Sequence, residues 1–282
     1  MFLRSVTVVA ALAVTTTAAA TEFVVGGGFG ADDASGRSLA ALVDVGVTDS
    51  TFLTLTAAAS EGDTLTDTIE TQAFTIGITQ DIGDFTGRFS IGTWGDSDFV
   101  DSIDYRAGLA VTAAGFRFGL DAERRDIDLT LRIEPGVILP GRDVGVDLVA
   151  DGIGGNVRYR NDDGFSIGVR GMRWDYDRNI AAAGSIERVL RLNPTTLSIA
   201  GALRESTLTG SVEWPLGDHL VGIEIGRDTL EIGGLEVDSA TLLWTLPAGK
   251  RTDLELSVGY SEADGAEGAY FANVFVYFFG GN

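Results

Sequence analysis

The sequence predicts an all-β chain folded as a single antiparallel up-and-down transmembrane β-barrel of about 16 strands, with roughly 14 to 18 compatible with the pattern. Three observations predict it. Apolar and polar residues alternate with period two along nearly all of the chain after the first twenty residues, the spacing at which successive side chains point to opposite faces of a sheet. Compact turns alternate with longer polar stretches, as they do in a barrel with tight turns at one rim and loops at the other. The chain is also 45% hydrophobic with a mean hydropathy of +0.18, yet beyond its N-terminus no run approaches the roughly 18 apolar residues that a membrane-spanning helix requires.

The elements follow in order. Met1-Phe2-Leu3-Arg4, the apolar run Val6 to Val14 and the small residues Ala18 and Ala20 read as a secretory signal peptide over residues 1–20, cleaved after Ala20. Residues 21–282 then form the barrel domain, with no linker, low-complexity block or break in composition to divide it. Gly27-Gly28-Phe29-Gly30-Ala31-Asp32 matches the core of a glycine-rich calcium repeat. Such rolls draw their ligands from stacked copies, so this single copy reads as a loop after the first strand. Phe85 to Ile91 alternates cleanly. Next, Phe116, Phe118, Leu120 and Ala122 alternate with Arg117, Gly119, Asp121 and Glu123, after which Ile127, Leu129, Leu131 and Ile133 alternate with Asp128, Thr130 and Arg132 in the opposite phase. The phase switch at Arg124-Arg125-Asp126 predicts a hairpin turn, with Leu129 facing lipid. Pro135 and Pro140 interrupt the segment 134–155, which is expected to fold partly across the barrel mouth and narrow it near Arg132, Arg158 and Arg160. Further strands are expected over Phe165 to Val169, Leu197 to Leu203, Leu208 to Trp214, Val221 to Ile225 and Leu254 to Tyr260.

In lipid the apolar phase faces outward and the polar phase lines the interior, the reverse of a soluble barrel. Trp94, Trp174, Trp214, Trp244, Tyr260, Tyr270 and Phe279 fall near expected strand ends, where aromatic girdles sit at the membrane interfaces. The leader, the alternating strands, the tight turns and the terminal strand Ala269-Tyr270-Phe271-Ala272-Asn273-Val274-Phe275-Val276-Tyr277-Phe278-Phe279 together resemble the porin-like outer-membrane β-barrel proteins of Gram-negative bacteria. The likeness is at the level of the class. It implies a place in the cell outer membrane, contact with outer-membrane lipid and lipopolysaccharide, and assembly by machinery that reads a terminal aromatic strand. Here Gly280-Gly281-Asn282 follow Phe279.

Charge narrows the functional classes. Acidic residues outnumber basic ones 41 to 20, giving a net charge of -21, which would repel a nucleic acid. The absence of cysteine removes disulfide and thiolate chemistry. Fifteen of the 20 basic residues lie between Arg88 and Arg204 among 17 acidic ones, so one barrel wall should carry arginine–carboxylate pairs and the opposite wall an acidic excess. The candidate lumen residues are Arg88, Arg106, Arg117, Arg132, Arg158, Arg160, Arg170, Arg188, Arg204, Asp121, Glu123 and Asp128. His219, the single histidine, sits beside the Leu216-Gly217-Asp218 turn and reads as a turn or interface residue. No nucleophile motif, phosphate-binding loop or metal-ligand spacing appears, so no catalytic residue, cofactor or metal site is assigned. The expected function is a passive channel for small hydrophilic solutes. The alternative is a non-conducting structural or interaction barrel. An outer-membrane enzyme would have to rest on His219 and the carboxylates alone.

Overall fold

The computed structural model of the protein describes residues 22–63, 68–96, 100–133, 142–178, 203–231, 234–264 and 268–281. The expected signal peptide, Arg188 and nearly all of the strand expected over residues 197–203 lie outside them. Among the described residues, fourteen antiparallel strands close into one up-and-down barrel. They are β1 (Glu22–Asp32), β2 (Arg37–Thr48), β3 (Thr51–Asp63), β4 (Thr68–Ile82), β5 (Phe85–Asp96), β6 (Val100–Ala113), β7 (Phe116–Ile133), β8 (Arg142–Arg160), β9 (Ser166–Tyr176), β10 (Arg204–Leu216), β11 (His219–Leu230), β12 (Glu236–Gly249), β13 (Thr252–Ala263) and β14 (Ala269–Gly281). Each strand pairs with its sequence neighbours, and β1 pairs with β14 from Glu22↔Gly281 to Asp32↔Phe271, which leaves no open edge.

The tight connections at 49–50, 83–84, 114–115, 161–165, 217–218 and 250–251 share one rim with the start of β1 and the end of β14. In the two-residue turn between β6 and β7, both Ala114 (φ 50°) and Gly115 (φ 80°) adopt the left-handed conformation that matches the twist of a hairpin. A Cβ on Gly115 would also meet the Arg160 carbonyl oxygen at 2.7 Å.

The count of 14 lies at the lower end of the expected range of 14 to 18 and two below the favoured 16, and one source of that difference is physical. β7 runs unbroken through 124–126, with Arg124 in register with Tyr105 on one side and Asp151 on the other. The phase changes there without a turn, as the outer face passes from apolar to charged side chains. At a tilt near 40°, the 18 residues of β7 climb roughly 45 Å, well beyond an apolar band of about 25 Å. Below Ala122 the outward side chains are Phe116, Phe118 and Leu120; above it they are Arg124, Asp126, Asp128 and Thr130, while Ile127 and Leu129 turn inward and are buried. Leu129 therefore faces the interior, contrary to expectation. The segment expected to cross the mouth is also different: residues 142–155 are barrel wall within β8, joined to β7 at the loop rim, and 134–141 lie outside the described residues. β9 pairs directly with β10, so the ring closes with no strand between them.

The calcium-like glycine run is part of β1 rather than a loop. Gly26, Gly28 and Gly30 lie on its inner side beside Phe275, Tyr277 and Asn273 of β14, and a Cβ on Gly28 would collide with the Phe275 ring. The glycines let bulky side chains point inward across the seam.

Candidate functional site

The outward phase carries the exposed apolar residues, among them Phe89, Leu120, Ile153, Val169, Leu208, Ile225, Leu242 and Val274. The opposite phase encloses a cavity of about 830 Å3 whose polar lining comes mostly from β5 to β10. Most arginines of this wall lie beside carboxylates: Arg106 and Glu123 are register partners, and other pairs reach across an intervening strand. Arg88 lies 2.8 Å from Asp121, which also accepts a hydrogen bond from Asn156 Nδ2 at 3.1 Å. Arg106 Nε and Arg125 Nε both donate to Glu123 Oε1, at 3.0 and 2.7 Å. Arg158 donates to Glu213 and, at 3.0 Å, to Ser166 Oγ, with Arg160 4.0 Å from the same Glu213 carboxylate. Arg170 sits 3.8 Å from Glu224, and Arg204 3.2 Å from Asp228. Across the lumen the inner positions include Thr54, Thr75, Thr79, Ser257 and Thr241, the acids Asp44, Asp253 and Glu255, and the Phe275 and Tyr277 rings. One wall thus carries most of the arginine–carboxylate pairs, and the other hydroxyls, acids and aromatic rings.

Toward the loop rim the interior tightens. A second cavity of about 380 Å3 shares Thr75, Ser90, Arg106, Arg125 and Arg204 with the larger one, so the two meet at a layer of guanidinium groups. In that layer the Arg125 guanidinium lies over the Trp174 ring at 4.5 Å, a cation–π contact. Trp174 is 3% exposed and sits where a Cβ on its register partner Gly152 would be 2.6 Å from the ring. Its indole N–H has no hydrogen-bond partner among the described residues. Tyr176 donates its hydroxyl to the Arg204 carbonyl at 2.8 Å. Above this layer Ile127 and Leu148, register partners on the inner face, are almost wholly buried. Outside the spanning band, burial together with the Glu205 and Asp175 carboxylates raises the Glu231 carboxyl above its ordinary range.

Of the residues singled out in the sequence, Arg88, Arg106, Arg117, Arg158, Arg160, Arg170, Arg204, Asp121 and Glu123 lie on the inner face. Asp128 does not. It is exposed on the outer face, in one cross-strand row with Asp101 and Asp147, because β7 has left the apolar band by that point. Arg132 belongs to β7, but its side chain is outside the described residues. Among the aromatics, Trp214, Trp244, Tyr260 and Tyr270 face outward near the rims. Tyr260 and Tyr270 pair in register with ring centroids 4.9 Å apart, and Trp244 donates its indole N–H to His219 Nδ1 at 3.2 Å. Trp94 and Trp174 are instead inner-face residues near the loop rim, and Phe279 is on the inward phase of β14. Position near a strand end does not say which face a residue occupies. Arg125 and Asp104 were missed, although Arg125 continues the odd-numbered phase of Arg117, Asp121 and Glu123. Among the described residues no group of three or more His, Asp or Glu is arranged to hold a metal ion.

No protein-family model matches the sequence, and no curated protein matches it. Solved structures do match. The chain is similar to the CymD monoaromatic hydrocarbon channel, at 8% identity over 93% of this chain and 89% of that one with a TM-score of 0.56. It is also similar to OmpT, an outer membrane protein of Vibrio cholerae. The loop L8 deletion mutant of OmpT is 10% identical over 93% of this chain and 100% of that one, with a TM-score of 0.52. The outer-membrane expressed form is 11% identical over 93% and 98%, with a TM-score of 0.51. At these identities the likeness is one of fold, and the fold is that of outer-membrane barrels.

Proposed function

We propose that this protein resides in the outer membrane and is a passive channel for small hydrophilic solutes. The observation that carries this reading is the inner face itself: paired charges and hydroxyl groups surround the cavity of about 830 Å3, while the outer face is an apolar band bounded at the loop rim by Arg124, Asp151, Arg173, Arg227 and Asp238. A polar wall costs little where water fills the space, and paired charges on it tune which solutes pass. Lipid and lipopolysaccharide would surround the apolar band, and the barrel-assembly machinery would handle the aromatic β14. The test is single-channel recording from purified protein in planar lipid bilayers. Discrete conductance steps above background are expected; their absence from correctly folded protein would overturn the channel.

A second reading, a non-conducting barrel whose loops bind a partner, is favoured by the buried layer of Glu123, Arg125 and Trp174 beneath Ile127 and Leu148. The two readings separate on one variant. Arg125→Ala opens that layer, so it should raise conductance if the lumen is a channel narrowed there, and should leave a sealed barrel silent.

A further inference from the structure

Among the arginines lining the larger cavity, Arg88, Arg106, Arg125, Arg158, Arg170 and Arg204 each have a carboxylate oxygen within 4.0 Å. Arg117 lines the same cavity and has none among the described residues. It is half-buried and stands in register with Arg158 on the adjacent strand, with Arg160 on the diagonal. Like charges directly opposite on neighbouring strands repel. Glu213, the carboxylate within 4.0 Å of Arg158 and Arg160, already accepts from Arg158 and from Ser166 Oγ at 3.1 Å. The local balance is therefore cationic, inside a chain whose net charge is -21. Thr112 stands in register with Arg117 on its other side, and Gly168 in register with Arg158.

We propose that Arg117 and Arg158 form a binding site for the oxyanion group, carboxylate or phosphate, of a solute at the turn-side end of the lumen. The proposal rests on the channel reading for the route by which that solute arrives. A guanidinium presents two parallel N–H donors that match the paired oxygens of either group, and an anion held between two opposed arginines removes their repulsion. Arg117 supplies the uncommitted donors; Arg158, held in place by Glu213 and Ser166, supplies a fixed second charge. Arg117 is the second residue of β7 and Arg158 is near the end of β8, so the site lies beyond the Arg106–Glu123–Arg125 layer for any solute entering from the loop rim.

The test is calorimetric titration of the folded, detergent-solubilised full chain at low salt, with succinate and separately with inorganic phosphate. The wild type is expected to bind at least one. Arg117→Gln should weaken that binding tenfold or more, and Arg117→Lys, which keeps the charge but loses the fork, should fall between. Arg37→Gln, on the outer surface, should leave it unchanged. Binding of phosphate alone would assign phosphoryl solutes, and of succinate alone carboxylates. Absence of binding by the wild type to both probes, or equal affinities for wild type and Arg117→Gln, would overturn the site. If Arg117→Gln does not assemble, the same comparison is made with Arg117→Lys. Bilayer recording of the same preparations keeps the two claims apart: conductance without anion binding removes the site and leaves the channel, and binding without conductance does the reverse.

Discussion

Glu123 holds two cations on one oxygen, and burial makes that arrangement consequential. The Glu123 and Arg125 side chains are 3% and 6% exposed, so removing either strands the other away from water, at a cost of about 3–5 kcal/mol. Glu123→Ala is expected to lower the urea midpoint at which the barrel loses its heat-modifiable gel mobility, and adding Arg125→Met should restore most of the loss. A double variant as weak as the single would argue against a coupled buried pair. Arg170 and Glu224 make a contrast: 3.8 Å apart and 66% and 40% exposed, they should tolerate Glu224→Gln with a change of about 0–1 kcal/mol in the same assay. Glu123 was legible in the sequence because its alternation with Ala122 is clean. Arg125 was not, since a charged triplet between two apolar phases looks the same whether the chain turns or the surrounding solvent changes.

For a strand, the informative quantity is where its outer face stops being apolar. On β13, Leu256 faces outward in register with Trp244 and Val274, and Ser257 faces inward beside Asn273. Leu256→Arg puts a charge on the outer face, at a cost that reaches roughly 2–4 kcal/mol at a membrane midplane and is smaller at the height of Trp244, and is expected to reduce the folded fraction in membranes, whereas Ser257→Arg should assemble normally. Equal tolerance would contradict the assignment of faces. The β6–β7 turn gives a sharper local check. Gly115→Val puts a branched side chain at φ 80° against the Arg160 carbonyl, so it should slow assembly measurably, as followed by the appearance of the heat-modifiable band. Strand identity could be read from alternation wherever one solvent bathed each face, as in Phe85 to Ile91. It could not be read above the band, where β7 and β8 invert.

At the level of the whole barrel, uneven charge along the sequence becomes uneven charge around the lumen, because an up-and-down connection lays sequence order out as angular position. That much was available from the placement of arginines between Arg88 and Arg204. The burial at the loop rim was not, since it depends on how far Trp174 reaches over Gly152. The closing seam has its own consequence. Glu22 and Gly281 are register partners, so two or three added residues would join them as one more tight turn, leaving the ring of strands intact. A circular permutant reopened at the loop rim between β13 and β14 would present the same cylinder with β14 leading and β13 last. Its yield in membranes, set against the parent's, would tell whether insertion depends on which strand emerges last from the ribosome or only on the finished ring.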